Sequence, residues 1–460
     1  MAGLSAAWKL SEWGFSVDVL EARDDVGGLA QTLSRDGFIF DYGPHRFHTD
    51  NPAILNEIRE LVGPELEDRA RKTTVYFLNK YFDYPLSAAN LLTNLPKSLA
   101  VASVADFAAT WLRNKIHPRP DDSFEAWVVN RFGRRLYDVY FGPYTAKVWG
   151  RDPKKLSSSW AAQRVAVVDL WDLLVRLLGL KREGHDFQHS PYLIDFYYPR
   201  SGAGRISELM AERIKANGGV IRLNAPVQSV EHTEGHVSSV TYRQDGAVGQ
   251  VPCDYLVSSI AITDLVKLLS PKADPETLAS ANSLGYRALI FVFLALNKDR
   301  VTDDNWIYFP APETIFNRIS EMKNFTPDSA PPGKTSLTVE ISCDVGDEVW
   351  NMPEAELYGR SVEGLVQAGL IKREEILFHF LDRTAHGYPT YDVNFEANLG
   401  RLAYHLAGYD NVVPCGRQGL FRYLNMDHCV EMGFCAAEEI ANQELGAKVT
   451  RVGQEQVYFG

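Results

Sequence analysis

The sequence predicts an α/β fold in which a Rossmann-type, dinucleotide-binding domain is assembled from separated parts of the chain. At the N-terminus a glycine and an apolar helix are followed by a short apolar strand that ends on an acid, Glu21. Residues 199–231 repeat this plan with a glycine-rich loop, an amphipathic helix, a glycine pair and a strand. Residues 411–440 add a strand, a glycine and another helix. Such units place nucleotide phosphates at helix N-termini.

The N-terminal unit is the back half of a dinucleotide-binding βαβ motif. Residues 1–10 form an apolar helix face, and "VDVL" at 17–20 is typical of a buried strand. Glu21 follows this strand 18 residues after Gly3, the spacing at which an acid binds a ribose hydroxyl pair. A complete G-x-G-x-x-G fingerprint would need another strand and two more glycines before Met1. Gly3 therefore fits only the third glycine, and we expect the first strand to be missing.

The predicted elements divide the chain into a discontinuous nucleotide domain and an inserted substrate domain. Residues 1–74, 196–283 and 400–445 carry the nucleotide-binding units. Residues 75–195 are expected to be largely helical, and 284–399 contain several strand-like runs such as "ALIFVFLAL". The substrate domain should thus be α+β, with a helical part and an antiparallel sheet.

The composition excludes several classes of function. A formal net charge of −12 argues against nucleic acid as a partner, since phosphate-backbone binding needs a basic surface. The five cysteines include no CxxC pair, which indicates reduced thiols in a cytoplasmic protein without a disulfide framework or a zinc site. No apolar run approaches the length of a transmembrane helix. The apolar segment 85–113 is expected to be buried helix rather than a peripheral membrane contact.

Four further segments resemble those of a known family, in the same order along the chain. They are "YGPHRFHTDN" at 42–51, "YTAKVWGRDPKKLSSS" at 144–159, "NRISEMKNFTP" at 317–327 and "GRQGLFRYLNMDH" at 416–428. This order resembles the FAD-dependent amine-oxidase and protoporphyrinogen-oxidase-like superfamily, and most closely its UDP-galactopyranose mutase branch. The resemblance implies a glutathione-reductase-like FAD-binding domain and a flavoenzyme.

The resemblance also implies where the cofactor and a small-molecule substrate bind. Non-covalent FAD would be held by Gly3, Glu21, Gly27, Gly28, His45, Val227, Gly416, Arg417, Asn425, Met426 and Asp427. The predicted catalytic residues are His45, Arg318 and Tyr423. The predicted substrate contacts are His48, Trp149, Arg318 and Tyr423, of which Arg318 and Tyr423 would face the diphosphate of a nucleotide sugar. NAD(P)H is the expected external reductant.

Each of these assignments has a plainer alternative. His45 and His48 lack Cys or Asp partners at metal-ligand spacing, so we expect no metal site, but both could be solvated loop residues. Arg318 could form a structural salt bridge, and Trp149 and Tyr423 could belong to the core. The rigid Gly43-Pro44 turn favours delivery of His45 onto a ring face.

Two functions remain open at the level of sequence. In the mutase branch, reduced flavin N5 acts on a nucleotide sugar, which requires arginines and tyrosines around a diphosphate. The alternative is a conventional FAD-dependent oxidase or dehydrogenase with an apolar pocket; a third hypothesis is a flavin-less scaffold. Val168 stands where bacterial mutases carry a diphosphate-binding arginine, and Phe421 and Asn425 also depart from the bacterial pattern. These departures bear on the substrate more than on the fold.

Overall fold

The computed structural model describes residues 1–84, 90, 94–158, 195–446 and 448–453. Val168 and the remainder of 159–194 lie outside the described residues.

The described residues form α-helices and β-strands of very different lengths. The helices are α1 Ala2–Glu12, α2 Pro52–Val62, α3 Lys97–Ile116, α4 Phe124–Phe132, α5 Arg134–Leu136, α6 Gly142–Trp149, α7 Arg205–Ala216, α8 Ile262–Leu268, α9 Pro275–Ser283, α10 Glu354–Gln367, α11 Phe395–Leu406, α12 Gly416–Gly419, α13 Met426–Asn442 and α14 Lys448–Arg451. The strands are β1 Asp18–Leu20, β2 Thr32–Arg35, β3 Phe38–Asp41, β4 Leu66–Ala70, β5 Thr73–Phe77, β6 Lys80–Asp83, β7 Asp195–Pro199, β8 Val220–Arg222, β9 Val227–Thr233, β10 His236–Gln244, β11 Ala247–Pro252, β12 Leu256–Ser258, β13 Leu269–Ser270, β14 Tyr286–Leu296, β15 Trp306–Tyr308, β16 Arg318–Glu321, β17 Thr335–Cys343, β18 Ile376–Pro389 and β19 Val412–Pro414.

Short parallel strand pairs carry the N-terminal and C-terminal units. Strand β1 pairs with β8, and β12 pairs with β19, both in parallel. Helix α1 packs against β1, β12, α7 and α13, so it joins units that are far apart in sequence. One predicted feature is corrected: β1 is only half-buried, because Asp18 at its start is exposed and pairs with Arg222.

A second layer is a seven-stranded mixed sheet in the order β18-β14-β17-β16-β15-β5-β6. Neighbouring strands run antiparallel except for β15 and β5, which are parallel. Strand β14 is buried along nearly its whole length because apolar side chains cover both of its faces. Residues 73–83 thus belong to the same sheet as 286–389, and the predicted border at residue 74 falls inside β5.

The apolar segment 85–113 is only partly buried where it is described. Helix α3 buries Ala100 and Phe107 along one side but leaves Val101 71% and Leu112 56% exposed. The expectation of a buried helix is therefore corrected for the outer side of α3. Within the described residues, none of the helices combines the length and apolar character that crossing a membrane requires.

Candidate functional site

Glu21 lies immediately after β1, where a Rossmann-type unit binds ribose. Its backbone continues the parallel pairing, with the amide nitrogen donating to the carbonyl of Arg222 at 2.9 Å. Its carboxylate accepts a hydrogen bond from the backbone nitrogen of Arg23 at 2.9 Å. This bond fixes the orientation of the acid at the carboxyl end of the strand, the edge at which α/β sheets bind ligands.

The predicted glycines serve two different purposes. Gly3 lies in the first turn of α1, where an added Cβ would stand 3.2 Å from Oγ of Ser259. Gly27 and Gly28 have φ of +109° and +60°, and an added Cβ on Gly28 would contact nothing within 4 Å. Gly3 therefore allows α1 to approach the end of β12 closely. Gly28 leaves open backbone, which a ligand can approach, whereas an added Cβ on Gly27 would lie 3.1 Å from Oγ of Ser207.

The C-terminal unit folds back onto α1. An added Cβ on Gly416 would lie 2.9 Å from Cβ of Ala2, so the close approach requires glycine here. Arg417 donates hydrogen bonds from Nε and Nη2 to the carbonyl of Leu424, at 2.8 and 2.6 Å. These two hydrogen bonds stabilise a loop in which the buried residue Phe421 has a φ of +50°. That conformation is unfavourable for a bulky side chain.

The loop delivers the chain to the start of α13. Helix α13 begins at Met426 with Asn425 as its N-cap, which confirms the helix start predicted near residues 425–427. The Asn425 side chain accepts no hydrogen bond from the first amides of α13, so the N-cap residue leaves these amides to another partner. Val227, the remaining cofactor candidate, is the half-buried first residue of β9 and lies opposite Tyr242.

His45 sits in a tight turn whose shape depends on Gly43. Gly43 has a φ of +100°, and an added Cβ would lie 2.8 Å from Oε2 of Glu340. The His45 amide donates to the carbonyl of Gly43 at 2.8 Å, and its Nδ1 is buried without a hydrogen-bond partner among the described residues. Burial, together with the positive charges of Arg417 and Arg318, lowers the pKa of His45 to about 3. His45 is therefore neutral at pH 7.

His48 lies in a different electrostatic environment from His45. Burial and the charge of Arg46 lower the pKa of His48, whereas Asp427 and Asp50 raise it. Its Nε2 is 3.8 Å from Oδ1 of Asp50. Over the described parts of the chain, no group of three His, Cys, Asp or Glu residues is arranged to hold a metal ion.

Arg318 is held by a partner that the sequence analysis missed. Arg318 opens β16 and lies opposite Glu340 of β17, and its Nη2 is 2.7 Å from Oε2 of that acid. The same nitrogen donates to the hydroxyl of Tyr388 at 3.1 Å. Burial alone would lower the pKa of Arg318, but Glu340 and nearby tyrosines raise it overall. The salt-bridge alternative is thus present in the structure.

The predicted residues Trp149 and Tyr423 meet Arg318 at an aromatic wall. The rings of Tyr388 and Tyr423 stack at 5.2 Å and 7°, and Trp149 meets Tyr388 edge-on at 6.0 Å. The guanidinium carbon of Arg417 lies 4.8 Å from the Tyr423 ring centroid. The structure therefore brings together five predicted residues: His45, Trp149, Arg318, Arg417 and Tyr423.

The missed residues differ in how visible they are in the sequence. Glu340 is an acid inside the otherwise uncharged run "TSLTVEIS", and a buried charge of this kind predicts a nearby cation. Tyr388 lies in "HGYPT" and carries no comparable signal.

A family comparison identifies the class of protein to which this site belongs. The model described as "Flavin containing amine oxidoreductase" matches residues 1–378. The chain belongs to this family. It is therefore a flavoenzyme, of either the isomerase or the oxidoreductase type, and its cofactor is a flavin.

Curated relatives include both mutases and oxidases. A probable UDP-galactopyranose mutase of Klebsiella pneumoniae is 26% identical over 34% of this chain and 41% of its own length. A dTDP-fucopyranose mutase of Escherichia coli is 25% identical over 40% of this chain and 49% of its own. The chloroplastic protoporphyrinogen oxidase 1 of Spinacia oleracea is 22% identical over 76% of this chain and 65% of its own. The matches thus span less than two thirds of each relative.

Solved structures show the same fold. A crystal structure of reduced UDP-galactopyranose mutase superposes with a TM-score of 0.86 at 21% identity, covering 100% of this chain and 97% of that one. A putrescine oxidase bound to putrescine superposes with a TM-score of 0.64 at 18% identity, covering 96% and 97%. The mixed α/β fold is confirmed by these superpositions.

Proposed function

We propose that the flavin is non-covalent FAD, held by a Rossmann-type domain assembled from the N-terminal unit, β8–β9 and the C-terminal unit. Three observations support the fit. Glu21 presents an oriented carboxylate for a ribose, the turn at Gly28 offers open backbone, and the N-cap residue of α13 leaves the first amides to another partner. The buried Nδ1 of His45, which lacks a partner among the described residues, supplies one more polar group for a bound ring.

The proposed reaction is a mutase-like rearrangement of a nucleotide-sugar substrate. The observation that carries it is the convergence of Arg318 and Arg417 with the stacked pair Tyr388 and Tyr423 beside neutral His45. Two guanidinium groups and two phenols are donors suited to a diphosphate, and they stabilise the negative charge that grows on a departing diphosphate. Bound in its reduced form, the flavin would supply an electron-rich nitrogen to the sugar.

The protein residues divide this work. Arg318, kept in place by Glu340, and the hydroxyl groups of Tyr388 and Tyr423 would bind the diphosphate. His45 carries no charge at pH 7 and so adds no further cation beside Arg318 and Arg417. Trp149 packs edge-on against Tyr388 and fixes the position of its ring.

The test compares reduced and oxidised protein. Protein loaded with FAD and reduced with dithionite is incubated with UDP-galactopyranose, and the furanose isomer is measured by chromatography. Turnover only in the reduced state, with competitive inhibition by UDP, would support the mutase. Turnover of an amine or other reduced substrate by oxidised protein, with stoichiometric hydrogen peroxide and no effect of UDP, would refute it.

One observation favours the conventional oxidase instead. Glu340 is buried and neutralises Arg318, so the formal charge of that pair is zero before any ligand arrives. An oxidase pocket needs aromatic walls but no diphosphate contact, and Tyr388, Tyr423 and Trp149 provide such walls. External NAD(P)H as reductant and a cytoplasmic location remain predictions from the sequence.

A further inference from the structure

A second cationic cluster lies next to the His45 turn. Arg46 follows His45 directly, and its guanidinium carbon is 5.5 Å from the ring centroid of Trp306. The guanidinium carbon of Arg71 is 5.0 Å from the same ring and 5.4 Å from that of Tyr84. Burial, and secondly the charge of Arg71, lower the pKa of Arg46 to about 10, as expected for two cations close together in a buried place. We call Arg46, Arg71 and Trp306 the arginine–tryptophan cluster.

The sheet places these side chains together. Trp306 of β15 lies opposite Thr73 of β5, and Arg71 precedes Thr73 by two residues. Arg71 lies just outside β5, and its guanidinium over the Trp306 ring places it on the same side of the sheet as that ring. The Trp306 ring stacks on Phe325 at 6.2 Å and 22°.

The cluster offers hydrogen-bond donors without matching acceptors. Arg71 donates from Nε to Oγ1 of Thr73 at 3.2 Å, but its Nη1 and Nη2 are buried and have no acceptor among the described residues. The indole Nε1 of Trp306 is buried and lacks an acceptor in the same part of the chain. Burying an unpaired guanidinium and an unpaired indole N–H is unfavourable, so a ligand that accepts hydrogen bonds here is bound with little competition.

Two tyrosine rings connect this cluster to the Arg318 site. The Tyr84 and Tyr308 rings are 5.4 Å apart, and the guanidinium carbon of Arg318 is 5.9 Å from the Tyr308 ring. Both cationic centres therefore border one continuous aromatic surface. A ligand bound at Arg318 that extends along the Tyr308 and Tyr84 rings would meet the arginine–tryptophan cluster.

We propose that the arginine–tryptophan cluster binds an oxyanion on the sugar end of the substrate, such as the carboxylate of a uronic acid. This inference rests on the proposed function and narrows its substrate class from neutral to acidic sugar nucleotides. The planar guanidinium of Arg71 can donate two parallel bonds to a carboxylate, and the Trp306 N–H adds a third donor. Arg46 supplies further positive charge.

The experiment measures how Arg71→Gln changes ligand preference in FAD-loaded protein. Dissociation constants for UDP-galacturonate, UDP-galactose and UDP are measured by calorimetry. The parent should bind the uronate at least tenfold more tightly than the neutral sugar, and Arg71→Gln should bind both alike. The dissociation constant for UDP should differ by less than twofold between the parent and Arg71→Gln. Arg59→Gln is the matched control, since Arg59 also lies over an aromatic ring, that of Tyr197, but on the exposed side of α2.

A structural role for Arg71 makes a different prediction. If Arg71 served packing, Arg71→Gln would lower the unfolding temperature of the ligand-free protein. The proposal requires that temperature to stay equal or rise, since an unpaired buried charge is removed. A parent without preference for the uronate, or a variant that keeps the preference, would overturn the assignment.

Failure of the proposed function would be visible separately. If the parent bound no UDP, the nucleotide-sugar proposal would fall. The oxyanion site would then be tested with inorganic phosphate alone. Phosphate should raise the unfolding temperature of the parent and of Arg318→Gln, but not that of Arg71→Gln.

Discussion

Glu340→Gln tests whether Arg318 binds an anion or serves only the sheet. The substitution replaces a carboxylate that lies 2.7 and 3.0 Å from Nη2 of Arg318 by a neutral amide of the same shape. Hydrogen bonds to charged groups contribute about 1.5–3 kcal/mol and neutral ones about 1 kcal/mol, so the free energy of unfolding should fall by about 0.5–2 kcal/mol. A diphosphate on Arg318 would also escape repulsion from Glu340. At about 8 Å and an effective dielectric of about 20, that repulsion is roughly 2 kcal/mol.

The expected result is therefore a protein that is less stable but binds UDP more tightly. Relief of roughly 2 kcal/mol corresponds to an increase in affinity of about tenfold or more. Calorimetry with UDP and urea unfolding measure the two effects. Glu321→Gln is the control. Glu321 is also buried in β16, but it accepts a hydrogen bond from Thr335 rather than from Arg318. The Glu321→Gln variant should therefore lose stability and keep its affinity for UDP. Unchanged or weaker UDP binding by Glu340→Gln would refute the diphosphate role of Arg318.

Three other predictions concern the cofactor side and the core. Glu21→Ala should weaken FAD binding by roughly 1.5–3 kcal/mol, and an unaltered FAD dissociation constant in folded protein would contradict the ribose contact. His45→Ala should keep FAD bound, shift the flavin spectrum and reduction potential, and slow turnover by more than about tenfold, with His48→Ala acting more weakly; a variant matching the parent in all three would exclude His45 from the ring. Burial raises the pKa of Asp41 from 3.8 to about 6. As the pH rises from about 4 to about 6, the parent should therefore lose roughly 3 kcal/mol of stability relative to Asp41→Asn. Urea unfolding across pH measures this, and a pH-independent difference would show that Asp41 keeps an ordinary pKa.

The elements of the proposed cofactor side could be predicted from sequence because their signals are local. A strand that ends on Glu21, a glycine pair and the Asn425 helix start each depend on a few adjacent residues. The spacing of residues within such a short segment does not depend on the rest of the fold. The structure places the start of α13 where the sequence predicted it. The half-buried state of β1 was less predictable, because it depends on which later strand pairs with Asp18.

The substrate side depends on strand register, which local patterns do not specify. Arg318 meets Glu340 only because β16 and β17 pair at those residues, which are 22 positions apart. Trp306 meets Thr73 only because β15 runs parallel to β5, and a parallel pair requires a long connection. One residue of slip would turn each side chain to the opposite face.

The same register sets the balance of charges at the site, in a chain of net charge −12. Tyr308, Arg318, Glu340, Phe291 and Asp382 lie opposite one another in successive strands, so one row of the sheet faces the His45 turn. In this row the carboxylate of Glu340 balances Arg318, and Asp382 pairs with Arg23. Arg71, two residues outside β5, has no such acid among its hydrogen-bonding partners in the described residues. An anionic ligand is the partner that would complete the balance. Arg71→Gln removes a cation without a hydrogen-bonded acid in the described residues, and Glu340→Gln removes an acid that balances a cation. The two experiments therefore test the same electrostatic argument.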